Sequence, residues 1–217
     1  MKCLIVGNSV YAAMLNDYLR NDGRYEVAGF TVEKEYIGNG MFERLKVIPY
    51  EAIDEEFNPN EYRLMLGVGY SEMNDIKEHL FKIYHKKGYL FETYIHPSAV
   101  IPADLKMGEG NIFFEGVIVQ RGSVIGDGNV FFSRTLIAHG CNIGNFNSFS
   151  FASLAGNVTV KNKCFMGMGA IVGEQVTIED RVFIGANAYV NENIKQGRAV
   201  LGEKGKIVDR DISGRIM

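Results

Sequence analysis

The chain has 217 residues, a formal net charge of −3 and a 47% share of hydrophobic residues. This fits one or two globular domains, and with no basic patch or arm in the sequence a nucleic-acid partner is not expected. No apolar run is long enough to span a membrane and no signal peptide is recognised, so the expectation is a cytoplasmic protein without membrane insertion. Lys2 to Val6 reads as a short apolar strand, followed by the turn Gly7-Asn8-Ser9 and a helix from about Tyr11 to Asn21, which Gly23 ends. Tyr25 to Phe30 is a second strand, residues 34 to 46 read as a loop, and Arg63 to Val68 is a third strand. Ser71 is placed as the cap of a helix running to about Lys87, with Met73, Ile76, Leu80 and Ile83 on its apolar stripe and Gly88 as its stop. This order predicts a small parallel, Rossmann-like α/β unit over residues 1–92.

From Ile95 the pattern changes to a strict period of six. Ile95, Ile101, Met107, Phe113, Val119, Ile125, Phe131, Ile137, Ile143 and Phe149 are all apolar. One residue is then dropped, and the series resumes as Leu154, Val160, Met166, Val172, Ile178, Ile184 and Val190. The fifth position of most hexads is small or β-branched, as at Val117, Ser123, Thr135, Cys141, Ser153 and Cys164. Glycine recurs at the second position (Gly108, Gly126, Gly144, Gly167, Gly173, Gly185), where it is expected to serve a tight bend. Such a period marks a parallel β-helix. Three hexads close one triangular rung, stacked on the next at about 4.8 Å. The β-helix is assigned to residues 93–200, leaving 201–217 as a tail.

Cys3, Cys141 and Cys164 lack metal-ligand spacing and fall at buried positions, so they read as reduced core thiols, and no metal is expected. The turn after the first strand is where a nucleotide phosphate often sits, but it holds only Gly7, which disfavours a conventional nicotinamide cofactor. Glu33, after the second strand, stands where a carboxylate accepts from a ribose hydroxyl; a solvated loop glutamate is the plain alternative. His139 is the one histidine inside the body of the repeat. It takes an outward third position between the small residues Ala138 and Gly140, less than one coil before the dropped residue.

The strings Leu136-Ile137-Ala138-His139-Gly140-Cys141-Asn142-Ile143-Gly144 and Leu154-Ala155-Gly156-Asn157-Val158-Thr159-Val160 resemble the hexapeptide-repeat acyltransferases of the sialic acid O-acetyltransferase and bacillosamine N-acetyltransferase type. Gly67-Val68-Gly69-Tyr70 and Ile95-His96-Pro97-Ser98-Ala99 match as well, so the resemblance covers nearly the whole chain. It implies a left-handed β-helix, a homotrimer with sites between adjacent subunits, and acetyl-CoA as co-substrate. It implies His139 as catalytic base, Gly156 as amide donor to the thioester carbonyl, and Ser148, Met168 and Ala186 lining the CoA groove. For the nucleotide of an acceptor it implies Gly7, Ser9, Val10, Tyr11, Val32, Glu33 and Gly69.

Three positions depart from the pattern of that family. Many members have an acidic residue where this chain has Gly140, which leaves Glu115 as the candidate to orient His139. Some have a second histidine where this chain has Ser148. The usual closing motif is replaced by Leu201-Gly202-Glu203-Lys204-Gly205-Lys206, with Lys204 or Lys206 as the candidate for a CoA phosphate. The reaction that the resemblance implies is N-acetylation of a nucleotide-linked amino sugar, of the 4-amino-4,6-dideoxy type, by direct attack on the thioester. An imidazole titrating near about 6.5 suits the removal of the amine proton, and a backbone N–H suits the developing oxyanion. The alternatives are sugar O-acetylation and a non-catalytic β-helix scaffold. A zinc-dependent carbonic anhydrase of this shape is disfavoured, because it needs three histidine ligands.

Overall fold

The computed structural model describes residues 1–205. The chain starts with β1 (Lys2–Val6), whose last four residues are fully buried. Flanking it in parallel are β2 (Glu26–Val32) and β5 (Arg63–Leu66), as befits a continuous apolar strand with covered faces. Between β1 and β2 runs α1 (Val10–Asp22), burying Ala12, Leu15 and Leu19 and ended by Gly23 in the left-handed conformation (φ 73°).

Residues 34 to 46 are not a simple loop. They form a hairpin of β3 (Met41–Phe42) and β4 (Leu45–Pro49), turned by Glu43 and Arg44, both at positive φ. Neither residue type signals such a turn. β4 then pairs in parallel with β2, and the sheet order is β3-β4-β2-β1-β5. A single helical turn, α2 (Ile53–Glu56), precedes β5.

The second long helix also differs from expectation. Ser71 makes no capping bond. Instead Glu72, Met73 and Asn74 sit consecutively at φ 50°, 49° and 66°, and α3 begins only at Asp75 and runs to Lys86. This start turns the helix so that Lys77, Leu80, Phe81 and Tyr84 form its buried stripe, while Ile76 and Ile83 lie at the margin. Gly88, at φ 86°, ends the segment.

From Tyr94–Ile95 onward the chain is a left-handed parallel β-helix of two-residue strands in three sheets, each strand pairing with the next one coil on. First-position side chains from Phe113 to Val190 fill the interior, and Phe113, Phe131 and Phe149 stack in parallel. Met107 departs from this: it is 37% exposed, because its strand ends its sheet and no rung lies beneath it. Asn111, Asn129 and Asn147 form a buried ladder: Asn129 Nδ2 donates to Asn111 Oδ1 and Asn147 Nδ2 to Asn129 Oδ1, while Asn111 Nδ2 donates to the Gly108 and Gly126 carbonyls. This pairing satisfies amides that would otherwise be costly to bury.

Two readings of the repeat need correction. The second-position glycines are not at bends. Their need is closeness: a Cβ on Gly126 would lie 2.8 Å from the Gly144 carbonyl oxygen, and one on Gly144 2.6 Å from that of Lys161. The left-handed bends fall at the fourth position, as at Gly122, Gly140, Arg134 and Asn157. At the dropped residue, Ala152 rather than Ser153 takes the inward slot. Leu136 pairs with Ser153 and Ile137 with Leu154, so the loss is confined to the corner after Phe149 and the strands keep register.

The three outer faces differ. One is roofed by the α/β unit: Tyr94, Ile112 and Val130 are buried against Ile5, Leu15 and Leu19, and Phe114 packs with them from the adjoining corner. The second presents an exposed apolar column of Val100, Ile118, Ile171 and Tyr189, with Leu136 and Ser153 between. The third is mostly polar, with Lys106, Asn142, Thr159 and Thr177.

Candidate active site

The column of third positions between the apolar and polar faces carries His139. Strand register stacks Arg121, His139, Gly156 and Glu174 on successive rungs. The rungs are tied by hydrogen bonds from Gly140 N–H to the Arg121 carbonyl (3.2 Å), from Asn157 N–H to that of His139 (2.9 Å) and from Gln175 N–H to that of Gly156 (3.0 Å). His139 is exposed, and its own N–H donates to Gln120 Oε1 at 3.1 Å. With Gln120, Arg121, Gly122 and Gly140 it lines an open groove of about 590 Å³. Its imidazole lies over Gly156: a Cβ there would stand 2.5 Å from Cε1. The Gly156 N–H has no acceptor among the described residues, so an unpartnered donor lies on the residue next to the imidazole. Gly140 sits at φ 68°, and a side chain on it would press against Asn157 Oδ1 at 2.4 Å.

Glu115 does not orient His139 within the chain. It stands at a different corner, between the roofed and apolar faces, and its Oε2 accepts from the Tyr18 hydroxyl at 2.8 Å. Burial acts to raise its carboxyl, but hydrogen bonds from Tyr18, its own backbone and Ser133 outweigh that and hold it low. Met168 and Ala186 share this second corner, both exposed, with Asn187 N–H donating to the Met168 carbonyl at 2.9 Å. Gly202 passes so close to Ala186 that a Cβ on it would lie 2.4 Å from the Ala186 oxygen. Lys204 is exposed just beyond, and Lys206 lies outside the described residues.

Ser148 is a correction. It points under α3, where it is 2% exposed. Its hydroxyl donates to Asn74 Oδ1 (2.9 Å) and accepts from Lys77 Nζ (3.1 Å), so it lines no groove. Lys77 is wholly buried and also donates to Asn74 Oδ1 at 2.9 Å; burial pushes its pKa down to about 7. Sequence reasoning missed this cluster, because a lysine at a helical position signals solvent until the roofing is known.

At the carboxyl ends of β1, β2 and β5 there is a cavity of about 680 Å³. Gly7, Ser9, Val32, Glu33 and Gly69 all line it, together with Asn8, Tyr36, Glu72, Asp75 and His79, which sequence reasoning missed. Gly7 has φ 108°, and a Cβ on it would strike the Gly67 oxygen at 2.7 Å, so the two loops meet here only as glycines. Ser9 makes no side-chain cap to α1, leaving first-turn N–H groups for an anion. Glu33 Oε1 lies 3.6 Å from His79 Nε2. Asp75 forms a bidentate pair with Arg181 of the coil (2.7 and 2.8 Å), which holds its carboxyl at about 2. Two expected residues lie elsewhere. Val10 is 87% exposed outside the cavity, and Tyr11 turns to the coil, edge-on to Phe114 and Phe132, because its place on α1 faces the roofed sheet.

No family model matches the chain, and no curated protein matches it in sequence. Solved structures do. The acetyltransferase domain of PglB from Neisseria gonorrhoeae is 23% identical, with 93% of this chain and 96% of that one covered at a TM-score of 0.81. PerB from Caulobacter crescentus, solved with CoA and GDP-perosamine, is 24% identical over 93% and 94% of the two chains, also at 0.81. WeeI from Acinetobacter baumannii is 18% identical over 93% and 97%, again at 0.81. Over nearly its full described length, the chain therefore has the fold of these proteins: a small α/β unit followed by a left-handed parallel β-helix.

Proposed function

We propose that the protein transfers the acetyl group of acetyl-CoA to the amine of a nucleotide-linked amino sugar. Residues 1–92 would bind the nucleotide and residues 93–200 carry the chemistry. The observation that carries this reading is the pairing of the exposed His139 imidazole with the unpartnered Gly156 N–H one rung away. His139 takes the proton from the acceptor amine as its nitrogen attacks the thioester carbon, and Gly156 N–H donates to the oxygen that gains charge. The tetrahedral adduct then collapses, the C–S bond breaks, and the thiolate of CoA leaves with a proton. Cys141, beside His139, is buried with its thiol pKa raised chiefly by desolvation, so it is no rival nucleophile.

The assembly belongs to the same proposal. Gly156 and His139 lie on one corner, while Met168, Ala186 and Lys204 lie on or near another, with the exposed apolar column between. A homotrimer that buries this column brings one corner of each chain against the other corner of its neighbour. Glu115 would then act, if at all, from the neighbouring chain. Further support comes from the neighbours of like fold: the gonococcal domain was also solved with acetyl coenzyme A, and variants of the Caulobacter enzyme with one histidine replaced by Asn or Ala were solved with CoA and GDP-perosamine.

The test is His139→Asn assayed with acetyl-CoA and a panel of dTDP-, UDP- and GDP-linked amino sugars. The kcat is expected to fall by about 10²- to 10⁴-fold, with folding and acetyl-CoA affinity little changed. A variant that keeps most of its activity, or a wild type that acetylates none of the panel, would refute the reading.

A further inference from the structure

The His139 column is electrically lopsided. One rung below His139 stands Arg121, exposed in the same groove and in no ion pair among the described residues. One rung above is the neutral Gly156, and above that come Glu174 and Glu192, both exposed in the same column. An anion approaching along this corner is drawn to the Arg121 side and repelled from the other. The donor carbonyl has to lie on the Gly156 side, where the free N–H is. The remainder of the acceptor must then extend the opposite way, past His139 toward Arg121.

Resting on the proposed acetyl transfer, we propose that Arg121 is a specificity residue that grips the diphosphate of the acceptor while its amine is presented to His139. The spacing fits. In a sugar ring with an amine on carbon four, the amine and the glycosidic oxygen lie on opposite sides of the ring, a span comparable with the rung height of about 4.8 Å. Guanidinium also suits the task, because its fork of donors meets two phosphate oxygens at once. Gln120, the adjacent residue, holds the His139 backbone through its Oε1, so the anion grip and the base are set by one short segment.

The test compares wild type, Arg121→Gln and Arg121→Lys on two acceptors: a nucleoside-diphosphate 4-amino sugar that the wild type acetylates, and the methyl glycoside of the same amino sugar, which has no phosphate. The ratio of kcat/KM for the first over the second is expected to fall by about 10- to 100-fold in the Gln variant. The loss should appear in the acceptor KM, with the acetyl-CoA KM within about twofold and partial recovery in the Lys variant. Because Arg121 is exposed, equal melting midpoints will show that the variants fold. An unchanged ratio overturns the proposal. So does a rise confined to the acetyl-CoA KM, which would give the anion grip to CoA instead. A wild type that acetylates neither acceptor would sink the acetyl-transfer reading itself, and Arg121's role with it.

Discussion

The imidazole of His139 packs on the Cα of Gly156 so closely that a single added methyl would stand 2.5 Å from Cε1 and 2.8 Å from Nε2. The obstacle is the far end of an exposed side chain, not backbone, and Gly156 is not at positive φ. Gly156→Ala should therefore fold with a melting midpoint within a few degrees of wild type, yet displace the ring and lower kcat by roughly 10²-fold or more, the scale of a lost general base. Steady-state kinetics beside a thermal melt will check this; normal turnover would mean that the ring position is not used.

Gly140 bears on whether an acidic neighbour can be supplied to His139 directly. At φ 68°, and with Asn157 Oδ1 2.4 Å from where a Cβ would go, Gly140→Glu should cost about 1–2 kcal/mol for the left-handed backbone alone. Chemical denaturation should show that loss, and no gain in rate is expected to accompany it.

If the cavity at the strand ends takes the nucleotide as proposed, Glu33 is the acid to meet its ribose, being lightly engaged by His79 at 3.6 Å. Calorimetry with nucleoside diphosphates should find binding weakened by about 10-fold in Glu33→Ala, the worth of a hydrogen bond to a charged group. Unaltered binding would remove Glu33 from the site.

Lys77 gives a pH signature of folding. Its partners are Asn74 and Ser148, and burial lowers its pKa from the ordinary 10.5 to about 7. Between those values the unfolded chain holds more protons than the folded one, so stability rises with pH across that window and is flat below it. The slope is at most about 1.4 kcal/mol per pH unit. Relative to Lys77→Met, wild type should gain in urea midpoint between pH 7 and pH 9.5. Parallel curves would show that Lys77 stays charged when folded.

The hexads made the β-helix legible because each first-position residue stacks on its copy one rung away in a core that repeats rung by rung, so local sequence carries the contact. His139 was legible for the same reason: an outward histidine beside small residues is a statement about one corner. Ser148 was not, because its burial is decided by α3, more than sixty residues earlier in the chain. Lys77 went unread for the same reason. The residues of a helix fix its stripe only once its start is known, and three left-handed residues set that start. The hairpin of β3 and β4 was hidden because Glu43 and Arg44 do not announce positive φ. At the cavity of the α/β unit, strand ends were readable as positions, but the departure of Tyr11 depended on which way α1 faces the coil.

The shortened corner after Phe149 shows that length and phase are separable in this molecule. A residue is gone, yet Ser153 and Leu154 still meet Leu136 and Ile137. Strands keep altitude, and corners set how far the chain reaches sideways. A segment grafted at the exposed Phe151 would thus project like a finger from the edge, leaving His139 and Ala186 on their own storeys. Corners of this coil are where new specificity can be added without rebuilding the shaft.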